Sequence, residues 1–152
     1  MTTLKETVQN DLHAAIRAQD KTRASTLRMV LTSITNEEVA GTEHRALTDD
    51  EVLKVIAKEA KKRKEAAAAY TDAARPELVA QEEAELAVLQ TYLPAQLGDD
   101  ELRTLVAGVL ATTGATGMQQ MGQVMKAAQA EVGGRADGGR VAAIVKEALL
   151  GR

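Results

Sequence analysis

Apolar residues recur at three- and four-residue spacing through almost the whole chain, a period that predicts helices rather than strands. Leu4, Val8, Leu12, Ala15 and Ile16 share one stripe of a first helix, from about Thr3 to Ala18. Asp20 suits the N-cap of a second helix, whose inner edge is Ala24, Leu27, Leu31 and Ile34, widened by Met29 and Val30. Gly41 suits its C-terminal end. Thr48 with Glu51 reads as a capping box that opens a third helix of about 25 residues. Val52, Val55, Ile56, Ala60, Ala67 and Tyr70 mark its buried edge. Lys54, Lys58, Lys61, Lys62 and Lys64 mark its exposed side, partly countered by Glu59 and Glu65. Pro76 suits the first turn of a fourth helix, lined by Leu78, Val79, Leu86, Leu89 and Leu93, with Gln81, Glu82, Glu83 and Glu85 as an acidic stretch.

The pattern breaks at Tyr92-Leu93-Pro94. Proline lacks a backbone N–H and disfavours helical geometry at the residue before it, so a helix must stop there. Gly98 is a serviceable N-cap for a fifth helix, and Asp99, Asp100 and Glu101 place negative charge at the positive end of its dipole. Leu102, Leu105, Val106, Val109 and Leu110 line that helix, and Met121, Val124, Met125, Ala128 and Val132 predict a sixth. A glycine-rich link, Gly133 to Gly139, leads to a last helix capped by Asp137 and lined by Val141, Ile144, Val145, Ala148 and Leu149. The expected fold is all-α: an N-terminal bundle of about four helices over residues 1–94, and a small three-helix module over 95–152.

Composition narrows the chemistry. The 152 residues include no Phe, no Trp and two Tyr, so the cores must be aliphatic, and stacking platforms for single-stranded nucleic acid are scarce. There is no Cys, which excludes disulfides, thiol nucleophiles and cysteine-ligated metal. His13 and His44 fall in different elements without metal-ligand spacing, and no metal or cofactor is expected. No apolar run approaches the roughly 20 residues that cross a bilayer, and the first residues lack the basic and apolar segments of a signal peptide. A cytoplasmic monomer is the expectation. The net charge of −3 argues against indiscriminate nucleic-acid binding. Residues 1–97 carry 16 acidic against 13 basic residues and residues 98–152 carry 6 of each, so an RNA contact needs a locally basic face.

Each candidate site competes with a plain structural role. The glycine-rich link lacks the Lys-Ser/Thr ending of a phosphate-binding P-loop and reads better as a capped turn. Ser25 or Ser33 would need a nearby base to act as a nucleophile. Glu82, Glu83 and Glu85 could hold a cation, but clustered glutamates on a helix face usually meet water or lysines. Arg28 and Arg63 border apolar stripes, and a desolvated guanidinium needs acidic partners. Both are expected to form structural ion pairs across the bundle, with Glu37, Glu82 or Glu85 as partners. Lys58, Lys61 and Lys62, with Lys54 and Lys64, form a basic face that fits RNA phosphates and a solvated surface equally well. Lys126, Arg135, Arg140 and Lys146 are a second basic set, beside glycines at 122 and 134 that permit close backbone approach.

Several blocks together resemble the GatB/YqeY family. Leu27-Arg28-Met29-Val30-Leu31 running to Asn36-Glu37-Glu38 is similar to the family's arginine-leading helix, and Lys61-Lys62-Arg63-Lys64-Glu65 with Tyr70 to its basic mid-chain helix. Glu82-Glu83-Ala84-Glu85-Leu86 leading to Tyr92-Leu93-Pro94 is the most specific block. Met121-Gly122-Gln123-Val124-Met125-Lys126 and Gly134-Arg135-Ala136-Asp137-Gly138 resemble its closing helices. Gln119-Gln120 departs from the acidic cap usual before Met121, as Gly98 does from a stronger cap. The resemblance implies a stand-alone YqeY-like protein, similar to the helical tail of the aspartyl/glutamyl-tRNA amidotransferase B subunit without its catalytic domain. It implies a tRNA-binding or tRNA-handling accessory role, with the second basic set as the favoured contact. An adaptor docking on an amidotransferase or another enzyme is the alternative. The family's glutamine-dependent carbon–nitrogen ligase label reads as inherited from the larger enzyme, because this chain offers neither a Cys nucleophile nor a P-loop; an amide-transfer enzyme using glutamine at an unrecognised site is the third and least favoured reading. The small module would favour an adaptor if Met118, Met121 and Met125 formed an exposed patch.

Overall fold

The computed structural model describes residues 2–151. Seven α-helices and one short 3-10 turn make up the regular structure, with no strand among the described residues. They are α1 (Leu4–Arg17), α2 (Lys21–Glu38), α3 (Asp49–Asp72), α4 (Pro76–Gln90), α5 (Asp99–Thr113), α6 (Met121–Val132) and α7 (Gly138–Leu150), with the 3-10 turn at Met118–Gln120. The chain divides between Leu93 and Pro94 into two compact units. None of the helices is long and apolar enough to cross a membrane.

Helix starts follow local capping chemistry. Side-chain oxygens of Thr3, Asp20 and Thr48 accept the backbone N–H of Glu6, Arg23 and Glu51 at 3.1, 3.1 and 3.2 Å. Glu51 reaches back to the Thr48 N–H at 3.2 Å and completes the capping box. Pro76 occupies the first turn of α4. Gly98 contributes no side-chain cap to α5, but Glu101 accepts the Gly98 N–H at 3.3 Å. Asp137 accepts from Gly139 at 3.2 Å and starts α7. Ends are less regular. Helix α2 stops at Val39 rather than at Gly41, and the turns after α1 and α3 place Gln19 and Ala74 in left-handed backbone at φ 59° and 56°.

In the first unit α3 packs chiefly on α4, and α1 on α2. Val8, Leu27, Val30, Ile34, Val52, Ile56, Ala60 and Leu89 form its core. In the second unit Leu102, Val106, Val109, Leu110, Val124, Ala128, Val132, Val141, Val145 and Leu149 close around one another. Gly114 and Gly133 end α5 and α6 in left-handed backbone at φ 68° and 57°, which glycine adopts without a side-chain penalty. The 3-10 turn has no counterpart in the sequence pattern. It is fastened by Gln120, whose side-chain oxygen accepts from the Thr116 N–H at 2.6 Å. Gln120, which precedes Met121, therefore fixes the turn that leads into α6.

Candidate functional site

The buried edge of α3 does not stay apolar. Its stripe continues from Ile56 and Ala60 into Glu59 and Arg63, each 6% exposed. Arg63 Nη1 donates to Glu59 Oε2 at 2.7 Å, Nε to Glu85 Oε2 of α4 at 3.2 Å, and Nη2 to the Met29 sulfur of α2 at 3.2 Å. The other Glu59 oxygen accepts from Ser33 Oγ at 3.0 Å and Lys62 Nζ at 3.4 Å. Glu85 is held further by Gln81 Nε2 at 3.1 Å. Burial by itself would raise the Glu59 pKa; the Ser33 hydrogen bond and the nearby Lys62 and Arg63 charges outweigh it and leave the carboxyl below its usual range. Arg63 thus joins α2, α3 and α4, with Glu85 as the one anticipated acid it meets. Glu59 stands apart from the expectation: it belongs to the core, not to the lysine side.

Arg28 differs from Arg63 and from the expectation of a structural ion pair. It lies exposed on α2, where water can solvate it, and makes no side-chain ion pair among the described residues. The residue that does lock the far end of α2 is Glu38, 4% exposed, which takes Lys5 Nζ of α1 at 2.9 and 3.2 Å. That hydrogen bond is the main cause of its lowered pKa. Tyr92 is tied to α1 through Asp11 at 2.5 Å, and burial followed by this bond pushes its phenol upward. Sequence spacing carries no signal for these last two links, because each joins residues far apart in the chain.

The remaining α3 lysines point outward. Lys54, Lys58, Lys61 and Lys62 are exposed, with Lys62 bridged to Glu59. Lys58 and Lys62 border a depression of about 170 Å³ shared with Ser33, Asn36 and Glu37 of α2. Lys54 and Lys58 border a neighbouring one of about 260 Å³ with Glu37, Leu47 and Glu51. Glu51 is drawn down to a pKa of about 2, chiefly by Arg45 and then by the Thr48 N–H. The basic stripe therefore runs beside carboxylates and short polar side chains.

The second basic set is divided by its hydrogen bonds. Arg135 donates to the Val132 and Glu131 carbonyls at 2.9 and 2.8 Å, closing the C-terminal end of α6. Arg140 donates to the Leu97 carbonyl at 3.0 Å and to Asp99 at 2.7 Å, beside the start of α5. It holds the Asp99 carboxyl below its usual range. Both guanidinium groups serve this unit's own structure. Lys126 and Lys146 are exposed. Gly134 answers a backbone demand at φ 83°, whereas a Cβ at Gly122 would meet open space. Met121 and Met125 pack against the apolar core, leaving Met118 as the exposed methionine of that trio.

His13 and His44 are exposed, and no three His, Asp or Glu side chains converge on a cation position among the described residues. Ser25 Oγ donates to the Thr22 carbonyl at 3.1 Å, and Ser33 gives its proton to the ion-paired Glu59. Neither serine faces a histidine in these bonds.

A Schizosaccharomyces pombe protein, described as the uncharacterized protein C22F3.15, is 33% identical over 92 residues, covering 60% of this chain and 72% of that protein. The family model described as Yqey-like protein matches residues 5–149, across both units and every helix but the outermost residue of the first and last. The chain belongs to the YqeY-like family.

Proposed function

We propose that the protein is a tRNA-binding or tRNA-handling accessory factor without chemistry of its own, and that the lysine side of α3 makes the main RNA contact. The observation that carries this is the row Lys54, Lys58 and Lys62, exposed at four-residue intervals beside the polar depressions of α2 and α3. Residues four apart lie on one side of a helix, and a rise of about 1.5 Å per residue spreads the row over about 12 Å. Such a row can meet phosphates along a strand, while Ser33, Asn36 and Glu37 offer donors and acceptors beside it. Structured RNA is recognised through shape and backbone, for which no aromatic platform is required. The resemblance to the amidotransferase B-subunit tail adds to this reading.

The second unit contributes less than its arginine count suggests, because Arg135 and Arg140 are spent on its own helix ends. Titration of the full chain with bulk tRNA across a salt series tests the proposal. Micromolar binding whose logarithm falls with log salt at a slope of about −2 to −3 is the expected outcome for three phosphate contacts. Absent or salt-indifferent binding contradicts it. Amide formation from glutamine by the pure protein would overturn its non-catalytic half.

A further inference from the structure

Arg63 spreads its donors over three acceptors of unequal strength. Two are carboxylates, Glu59 and Glu85; the third is the neutral thioether of Met29, a weak acceptor. The positions are also unequal. Arg63 is 6% exposed, whereas Met29 is 44% exposed, so its sulfur touches a buried cation from a side chain that small solutes can reach. Met118 is a comparator: 38% exposed, with no hydrogen-bond donor at its sulfur among the described residues.

We propose that Met29 is an oxidation site whose sulfoxide is captured by Arg63. A hydroperoxide transfers one oxygen to Sδ: the S–O bond forms, the O–O bond breaks, and sulfur is oxidised by two electrons. The peroxide is reduced to water, or to an alcohol if it is organic. No further reductant or proton source is needed. Methionine sulfoxide is polar and commonly disrupts the apolar sites that hold methionine. At position 29 the sign reverses. The new oxygen is a strong acceptor, the side chain has solvent-facing freedom to turn it, and a guanidinium N–H already points at the sulfur. A charge-assisted N–H···O bond replaces a weak N–H···S contact, and α2 is fastened more firmly to α3.

The two tyrosines, Tyr70 and Tyr92, both lie in the first unit, so tyrosine emission follows its melting without interference from the second. The full chain is treated with hydrogen peroxide, the oxidised methionines are located by peptide mass mapping, and melts are compared before and after. Oxidation at Met29 should raise the first unit's midpoint by about 2–4 °C. Enzymatic reduction of the sulfoxide should restore the original value. Met29→Leu should melt below the untreated protein and show no such rise. Met29→Gln, with a carbonyl oxygen in place of sulfur, should melt above Met29→Leu. A fall or no change with Met29 demonstrably oxidised overturns the proposal. So does Met29→Gln melting at or below Met29→Leu, or Met29 remaining unoxidised when Met118 is fully converted.

Discussion

The two units bury amphipathic helices in different ways. In the second, every buried side chain among the described residues is apolar, and ion pairs such as Arg140 with Asp99 sit at the surface. In the first, Glu38, Glu59 and Arg63 lie within the packing at 4%, 6% and 6% exposure. Apolar packing depends on volume and tolerates exchange of similar shapes, whereas a buried charge depends on partners in fixed positions. The first unit's helix arrangement is therefore held by a few specific atoms. The second unit's is held by the sum of many interchangeable contacts.

Breaking the charged core should show the largest effect. Arg63→Ala removes the buried cation that Glu59 and Glu85 share, leaving Glu59 to Ser33 and Lys62 and Glu85 to Gln81, and should destabilise the first unit by roughly 3 kcal/mol. Its melt by tyrosine emission should move accordingly, while the second unit's transition stays in place. Ordinary melting in this variant would show that the network does not pin the helices. The mirror experiment is Leu102→Ala, at a fully buried position of the second unit, with an expected loss of roughly 2–5 kcal/mol confined to that unit in a denaturant titration.

Acid should separate the units next. Glu38 and Glu59 both have folded pKa values below their ordinary ones. The stability they contribute is complete above the unfolded glutamate value of about 4.3 and is lost as pH falls through the depressed folded values. Between about pH 5 and pH 3 the first unit's tyrosine-detected midpoint should therefore drop further than the second unit's, which buries no carboxylate among the described residues. Equal drops would remove the distinction. The smallest effect should come from the surface pair: Asp99→Ala removes one exposed partner of Arg140 and should shift the second unit's denaturation midpoint less than any of the changes above.

The helices and most of their starts were legible in the sequence because caps and 3.6-residue periodicity are local. Thr48 with Glu51, Pro76 and Asp137 each announce a start through neighbours a few residues away. Partners across the bundle were legible only where a charge interrupts an apolar stripe. Arg63 was visible that way, and Glu59 obeys the same spacing, at positions three from Ile56 and four from Arg63. Its place among lysines disguised it as surface. Lys5 with Glu38 and Asp11 with Tyr92 depend on tertiary packing that no spacing encodes. The same limit governs Arg135 and Arg140: sequence shows one cation on the glycine-rich link and one just after it in α7, and only the fold shows which carbonyls occupy them.

The difference between the units also decides where RNA should touch. The first unit presents lysines, the second uses its arginines internally, and charge reversal distinguishes the two directly. Binding of bulk tRNA at one low salt concentration should be compared for Lys54→Glu/Lys58→Glu and Lys126→Glu/Lys146→Glu, each confirmed to melt like the parent. The expected result is a loss of tenfold or more in affinity for the first pair and a smaller loss for the second. A larger loss from the second pair, or tRNA binding untouched by either, would contradict the assignment of the contact to α3.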